Sequence, residues 1–234
     1  MGRESILERG AAQQAFEAEL AQVDQLLRAA VADLFPPFSQ LVAAQAGGSL
    51  RRAAIVLAAG TAEEESPRLC EQRVALAAAL EMLHRALAVH MRVGSTSKPT
   101  APNLTLLGST ILAGDYCFSR AAALAVRTGE AAVVEIFADA LKRVSEGHLR
   151  QRFDGALEPY DEDSELFKAG ATAAMRLTRA AEETQQAILE LVAGLAARPS
   201  GQLLLPSHAL TPAQLGRWQV LLQWWSAHPA AETD

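Results

Sequence analysis

The sequence has few cysteines, few aromatic residues and no long uncharged apolar run. Its two cysteines, Cys70 and Cys117, form neither a CxxC pair nor a disulfide framework, which is typical of a reducing compartment. No uncharged apolar run reaches the roughly 18 residues that a membrane-spanning helix requires. The N-terminal residues also lack the apolar core of a secretory signal. We therefore expect a soluble, cytoplasmic protein with no transmembrane segment.

The balance of charges argues against nucleic acid as a partner. The chain has 21 Lys and Arg against 27 Asp and Glu, which gives a formal net charge of −6. A general nucleic-acid binder needs a basic surface that displaces counterions from the phosphates. We expect no nucleic-acid partner.

The composition favours helices. Half of the residues are apolar but only 5% are aromatic, and many of the apolar residues are alanines. Alanine has the best helix propensity, and small side chains let helices approach closely. A chain of 234 residues is long enough to bury one substantial core. We predict an all-α fold with a single domain over residues 1–234.

The apolar periodicity and the helix-breaking residues predict a bundle of about eight helices. Proline pairs, glycines and polar loops set the boundaries between them. The predicted helices span residues 11–34, 38–46, 50–59, 69–94, 103–127, 130–153, 164–197 and 211–227. The last of these begins at Thr211-Pro212, an N-cap followed by proline at the first helical position.

Five short segments, read in order, resemble the motifs of one family. Residues 47–53 (GGSLRRA) match a GGKRxRP pattern, residues 81–90 match E-x-x-H-x-x-x-L-x-H, and residues 112–116 read LAGDY. Two weaker matches are residues 147–151, at a G-E-x-x-Q pattern, and residues 171–173, at K-T-A. Over residues 40–180 the chain resembles the polyprenyl synthetases, which are trans-isoprenyl diphosphate synthases.

This resemblance implies a helical bundle of the isoprenoid synthase type. In the family, the activity is prenyl transfer onto isopentenyl diphosphate, and the cofactor is Mg²⁺ held by two aspartate-rich motifs. The resemblance also implies a dimer, whose contact is formed by the helix predicted at 103–127 and the helix that follows it.

The sequence departs from the family where the metal would bind. The first D-D-x-x-D should follow His90, but residues 91–95 read MRVGS, and no second such motif follows residue 180. In active members these carboxylates hold Mg²⁺ against the substrate phosphates, and the metal stabilises the departing diphosphate. We therefore predict no metal site, no cofactor and no catalytic residue, so the chain should be inactive by itself.

Some polar residues that match the family remain as candidates for a residual, metal-free diphosphate site. Arginine grips phosphate through two parallel hydrogen bonds, and the GGKRxRP-like segment opens the helix that holds a diphosphate in the family. The alternative is that these polar residues are solvated or ion-paired charges on the surface. The candidates are Arg52, Arg92, Lys98, Gln151 and Thr172.

Other polar residues are predicted to be structural. His84 and His90 are six positions apart, so they lie on different helical faces and cannot form a metal pair. Asp115 interrupts an apolar helix and is predicted to be buried, either as scaffold or for chemistry. The acidic group at 161–165 is composed like a ligand set, but its place at a helix start favours capping and pairing with the macrodipole.

Two apolar surfaces remain to be covered. The helix at 103–127 is apolar nearly all round, so one bundle core cannot cover it, and we predict a subunit interface there. The interface candidates are Leu104, Leu107, Ile111, Phe118 and Leu124, with Leu112 on the same helix. Trp218, Leu221, Leu222 and Trp225 share a face that we expect to dock on the bundle.

Three functions stay open on this basis. The first is a noncatalytic subunit, paired with itself or with an intact polyprenyl diphosphate synthase. The second is a diverged prenyltransferase or a binder of a prenyl diphosphate. The third is a helical adaptor that is unrelated to isoprenoids.

Overall fold

The computed structural model describes residues 2–44, 50–91, 101–154, 160–197 and 203–229. Within these ranges there are nine helices and no strand. The helices are α1 (Gly2–Val31), α2 (Pro36–Ala44), α3 (Arg51–Ala59), α4 (Pro67–Met91), α5 (Ala101–Val126), α6 (Ala131–Phe153), α7 (Glu162–Thr178), α8 (Glu182–Ala197) and α9 (Pro212–Ala227). The prediction of an all-α bundle is confirmed.

Helix α4 lies at the centre of the bundle and contacts α1, α3, α5 and α7. Its length and apolarity would suffice to cross a membrane, but 78% of its most apolar window is buried inside the chain. Its leucines at 76, 80, 83 and 87 all lie in the core, as their helical spacing predicts. Burial of this extent is typical of a core helix.

A glycine lets α7 approach the two helices beside it. A Cβ atom at Gly170 would lie 2.4 Å from Leu80 Cδ2 of α4 and 2.9 Å from Val56 Cγ2 of α3. Both distances are shorter than real carbon contacts, so a larger residue would separate the helices. Four of the nine buried residues of α3 and four of the eight of α7 are alanines, and these small side chains allow the same close packing.

The long helix predicted over 164–197 is divided in two, which corrects the sequence interpretation. Thr178 ends α7, and the next residue, Arg179, adopts the left-handed conformation with φ of 52°. The amide of Ala180 then donates to the carbonyl of Met175 at 3.1 Å and closes the helix end. Glycine usually marks such a break, and its absence from the stretch 178–182 hid this one.

The C-terminal helix α9 docks on α1 and α3, as predicted. Trp218, Leu221 and Trp225 are fully buried, and Leu222 is half-buried. The helix begins with a capping box, in which Thr211 and Gln214 satisfy each other's backbone amides.

A buried ionic triad joins α1, α4 and α9. Glu19 of α1 accepts from Arg73 Nη2 of α4 at 2.5 Å, and its second oxygen accepts from Arg217 of α9. Arg73 is only 2% exposed and also donates to Glu65 and to the carbonyl of Gly60. Because every member is buried or nearly so, each charge depends on its partners for solvation.

We expect Glu19→Ala to lower the free energy of unfolding by about 3–5 kcal/mol, because it leaves two arginines buried without this carboxylate. Glu17→Ala is the matched control on the same helix, since Glu17 is exposed and bonded only locally to Gln13. It should change stability by less than about 0.5 kcal/mol. Urea denaturation of both variants measures the two free energies of unfolding. Equal losses would show that the triad contributes no more to stability than the exposed Glu17.

Candidate functional site

A cavity of about 790 Å³ lies between the C-terminal end of α4, α5 and α6. Its size falls within the range of small-molecule sites. Leu141, Ser145 and Leu149 follow one another at steps of four on α6, so one stripe of this helix forms a wall. The lining residues are Leu87, His90, Met91, Phe118, Leu141, Ser145, His148, Leu149, Gln151 and Arg152.

His90 stands at the α4–α5 side of the cavity. Its ring stacks on Phe118 with 5.1 Å between centroids, and its Nε2 lies 3.3 Å from Asp115 Oδ1. The ring rests against the backbone of Gly114, where a Cβ atom would lie 2.2 Å from it. Asp115 itself is exposed, with 61% of its side chain accessible, so the prediction that it is buried is wrong.

His148 stands on the α6 side of the cavity and belongs to a larger cluster. Its Nε2 lies 3.0 Å from Glu162 Oε2, and the other oxygen of Glu162 lies 3.0 Å from His84 Nδ1. Tyr160 packs edge-on against His148 and fits over Gly147, where a Cβ atom would lie 2.2 Å from its ring. One carboxylate of α7 thus links a histidine of α4 to a histidine of α6.

Arg52 is buried next to this cluster. It pairs with Asp163 of α7, and its Nη1 lies 3.7 Å from Glu81 Oε2 of α4. Glu81 also accepts from the backbone amide of Ala53 at 3.0 Å. Because Arg52 is only 7% exposed, its guanidinium is enclosed by these carboxylates.

Arg51, the neighbour of Arg52, is held by the C-terminal helix. Its guanidinium lies 4.1 Å from the ring centroid of Trp225, and its Nε donates to the carbonyl of His228 at 3.1 Å. This stacking is a cation–π contact. Burial lowers the pKa of Arg51. Both arginines of the GGKRxRP-like segment therefore make contacts within the chain.

The remaining candidates for a diphosphate site are scattered. Gln151 lines the cavity, whereas Arg52 and Thr172 do not. The hydroxyl of Thr172 donates to the carbonyl of Lys168 in its own helix. Arg92 and Lys98 lie outside the described residues.

Among the residues that the structure describes, no group of side chains fits the Mg²⁺ that the resemblance implies. In the described ranges no three His, Cys, Asp or Glu side chains are placed to hold a metal ion. Asp161, the first residue of the acidic group at 161–165, caps α7 by accepting from the amide of Ser164 at 2.9 Å, as its place at a helix start predicts. Glu162 and Asp163 reach across to other helices, a role that their local sequence pattern did not signal.

Several large apolar side chains on α5 and α6 are exposed, and together they are called here the apolar surface on α5 and α6. Leu112 and Val126 of α5 are each 65% exposed, and Phe153 of α6 is 77% exposed. Other exposed side chains of this surface are Ile111, Val134 and Leu149. Monomeric proteins rarely expose many large apolar side chains together.

The predicted interface residues divide between two sides of α5. Ile111 lies on the exposed side, and Leu107 is half-buried. Leu124 is only 6% exposed and Phe118 contacts His90, so both turn toward the inside of the chain. The side chain of Leu104 lies outside the described residues. The outward stripe therefore follows Leu112 rather than Leu124.

Glu162 should make stability depend on pH. Burial alone would raise its pKa, but hydrogen bonds from His84 and His148, with the charge of Arg52, hold the pKa below its ordinary value of 4.5. A depressed pKa contributes stability that is present above pH 4.5 and is lost as the pH falls through the folded-state pKa.

We therefore expect Glu162→Gln to destabilise the chain at pH 7, because it removes the charge that both histidines contact. The difference from the wild type should shrink as the pH falls from 4.5 through the folded-state pKa, below which the wild-type carboxylate is protonated as well. Urea denaturation at a series of pH values measures this. A difference that stays constant down to pH 3 would contradict the role of the ionised carboxylate.

Comparisons with known proteins agree with this architecture. The crystal structure of a decaprenyl diphosphate synthase from Rhodobacter capsulatus is 22% identical, with a TM-score of 0.64 over 92% of this chain and 84% of that chain. The polyprenyl synthase from Caulobacter crescentus, complexed with calcium and isoprenyl diphosphate, is 20% identical, with a TM-score of 0.62 over 94% of this chain and 85% of that chain.

A third structure is a geranylgeranyl pyrophosphate synthase from Corynebacterium glutamicum, at 21% identity and a TM-score of 0.63. The match covers 78% of this chain but only 60% of that one. No curated protein matches the chain by sequence. The polyprenyl synthetase family model matches residues 36–195, which is more than half of the chain. The chain belongs to the polyprenyl synthetase family.

Proposed function

We propose that this chain is a noncatalytic subunit of isoprenoid biosynthesis in the cytoplasm, which pairs with itself or with a catalytically intact polyprenyl diphosphate synthase. The observation that carries the proposal is the position of Arg52. This residue matches the family's diphosphate-binding segment, yet it is enclosed by Asp163 and Glu81. Its charge is therefore used for packing helices.

The chemistry of prenyl transfer supports the same proposal. Loss of a diphosphate from an allylic substrate needs cations already placed around the leaving group. Here the residues after His90 are Met91, Arg92 and Val93 where the family has its first aspartates. Without those carboxylates, this position offers no ligand that Mg²⁺ prefers.

The apolar surface on α5 and α6 supports the proposal of a partner. Leu112, Val126 and Phe153 would each remain largely exposed in a monomer. Burying a leucine side chain contributes roughly 1.5–3 kcal/mol, so an isolated chain forgoes a substantial stabilisation. A second subunit of the same fold presents a surface that is able to cover it.

A diverged prenyl diphosphate binder is the second candidate. Gln151 lies at the cavity, which favours a ligand there. Arg51 and Arg52 would have to exchange their partners within the chain for phosphate oxygens, which makes this candidate the weaker one.

Purified protein should show no Mg²⁺-dependent condensation of isopentenyl diphosphate with dimethylallyl, geranyl or farnesyl diphosphate. The reason is the missing aspartate cluster after His90. A radiolabelled product assay measures this, with an intact synthase as the positive control. Turnover above a buffer blank, in a preparation free of host synthase, would refute the noncatalytic assignment.

The variant Leu112→Glu should weaken subunit association at least about tenfold, because it places a charge on the exposed apolar stripe of α5. Leu204→Glu is the matched control, since Leu204 is 96% exposed in a loop outside this surface. Light scattering at micromolar concentration measures mass, and circular dichroism checks that the fold is retained.

Association with a synthase is tested by affinity capture of the wild-type chain from its native host. Recovery of an intact polyprenyl diphosphate synthase, which is lost with Leu112→Glu and kept with Leu204→Glu, would support the subunit role. A wild-type chain that is monomeric and captures no synthase would contradict it and favour a helical adaptor.

A further inference from the structure

The cavity of about 790 Å³ has a polar part whose charges are already balanced. His90 lies 3.3 Å from Asp115, and His148 lies 3.0 Å from Glu162. Each imidazole thus has a carboxylate beside it, which offsets any positive charge on the ring. Among the lining residues that the structure describes, only Arg152 is permanently cationic, and it is exposed.

This balance does not suit a multiply charged ligand. Moving a diphosphate from water to an apolar site is costly unless cations surround it. The two arginines of α3 are held elsewhere, Arg51 by Trp225 and His228 and Arg52 by Asp163 and Glu81. The carboxylates of Asp115 and Glu162 would repel such an anion.

One of the two histidines offers a hydrogen bond to an uncharged group. His148 Nδ1 is buried without a hydrogen-bond partner among the described residues, whereas His90 Nε2 already lies 3.3 Å from Asp115 Oδ1. Buried polar atoms nearly always have a partner, so His148 Nδ1 calls for one. Because His148 Nε2 faces the Glu162 carboxylate, that nitrogen carries the proton, and in the neutral ring Nδ1 is an acceptor.

The rest of the cavity is apolar. Leu87, Met91, Phe118, Leu141 and Leu149 supply most of the wall. Burying a long hydrocarbon chain against them would stabilise the complex in proportion to the apolar surface that is removed from water. Small-molecule sites typically combine such a wall with a few polar groups that fix the orientation of the ligand.

We propose that this cavity binds an uncharged amphiphile, whose hydrocarbon chain lies against Leu87, Phe118 and Leu141 and whose hydroxyl group donates to Nδ1 of His148. The ligand is an alcohol with a long apolar tail and no phosphate. Catalysis does not enter the argument, and of the described lining residues only Leu149 also belongs to the apolar surface on α5 and α6.

Calorimetric titration of the full chain with farnesol and with farnesyl diphosphate tests the proposal, since these ligands differ only in the head group. Farnesol should bind at least about tenfold more tightly, with or without Mg²⁺. Pentadecan-1-ol distinguishes a straight-chain alcohol from a branched isoprenoid one, and binding of either supports the site. Equal or tighter binding of the diphosphate, or no binding of either alcohol, would overturn it.

The variant Ser145→Trp tests whether the ligand binds in this cavity. Ser145 is exposed, so a large side chain there fills space between Leu141 and Leu149 without entering the core. Farnesol affinity should fall at least about tenfold. Ser226→Trp, at an exposed helical serine of α9 outside the cavity, should bind as the wild type does. Unchanged binding to Ser145→Trp would overturn the assignment of the cavity.

His148→Phe tests the head-group contact while keeping a ring in place. Loss of one hydrogen bond should lower farnesol affinity about three- to tenfold. Farnesene, which lacks the hydroxyl, should bind equally to both proteins and so controls for any change in cavity shape. An equal loss for farnesol and farnesene would show that the imidazole does not contact the head group.

Discussion

The first turn of α7 carries three carboxylates that reach three other helices, and one of them, Glu165, pairs with Arg143 of α6. Asp163 pairs with Arg52 of α3, while Glu162 bridges His84 of α4 and His148 of α6. Arg52 and Glu162 are largely buried, so breaking either contact is costly, since the buried charge keeps its desolvation penalty without its partner. This helix start therefore fixes how α3, α4 and α6 are arranged around α7, and Gly170 in the same helix permits their close approach.

The same contacts determine which cationic side chains remain available to a ligand. A family position associated with diphosphate, Arg52, faces two carboxylates, and its neighbour Arg51 lies against Trp225. The cavity between α4, α5 and α6 is left with apolar walls and with histidines that have their own carboxylates. The fold of a polyprenyl synthetase is retained, while its cationic side chains stabilise the bundle itself.

Local patterns in the sequence predicted most of the fold. Apolar periodicity, proline and glycine gave the helices, and the ordered motifs gave the family. The break at Arg179 was missed because a non-glycine residue takes the left-handed conformation there. Of the predicted interface residues, Ile111 is exposed whereas Leu124 is buried, since the outward face of a helix that is apolar all round depends on its neighbours.

The candidate site was less predictable, because its contacts join distant parts of the chain. His84 and Glu162 are 78 positions apart, so no local spacing signals that they meet. Asp161, Glu162 and Asp163 share one acidic run, yet only Asp161 has the capping role that helix rules predict. Which carboxylate turns inward is set by the packing of α7 on α3 and α6.

The central claim is that Arg52 stabilises the bundle instead of holding a diphosphate. Urea denaturation of Arg52→Met against the wild type tests it most directly, because methionine keeps much of the side-chain length and removes the charge. The account predicts a loss of about 3 kcal/mol or more, since Glu81 is then left buried without its guanidinium. A change within about 0.5 kcal/mol would contradict the account and return Arg52 to the candidates for ligand binding.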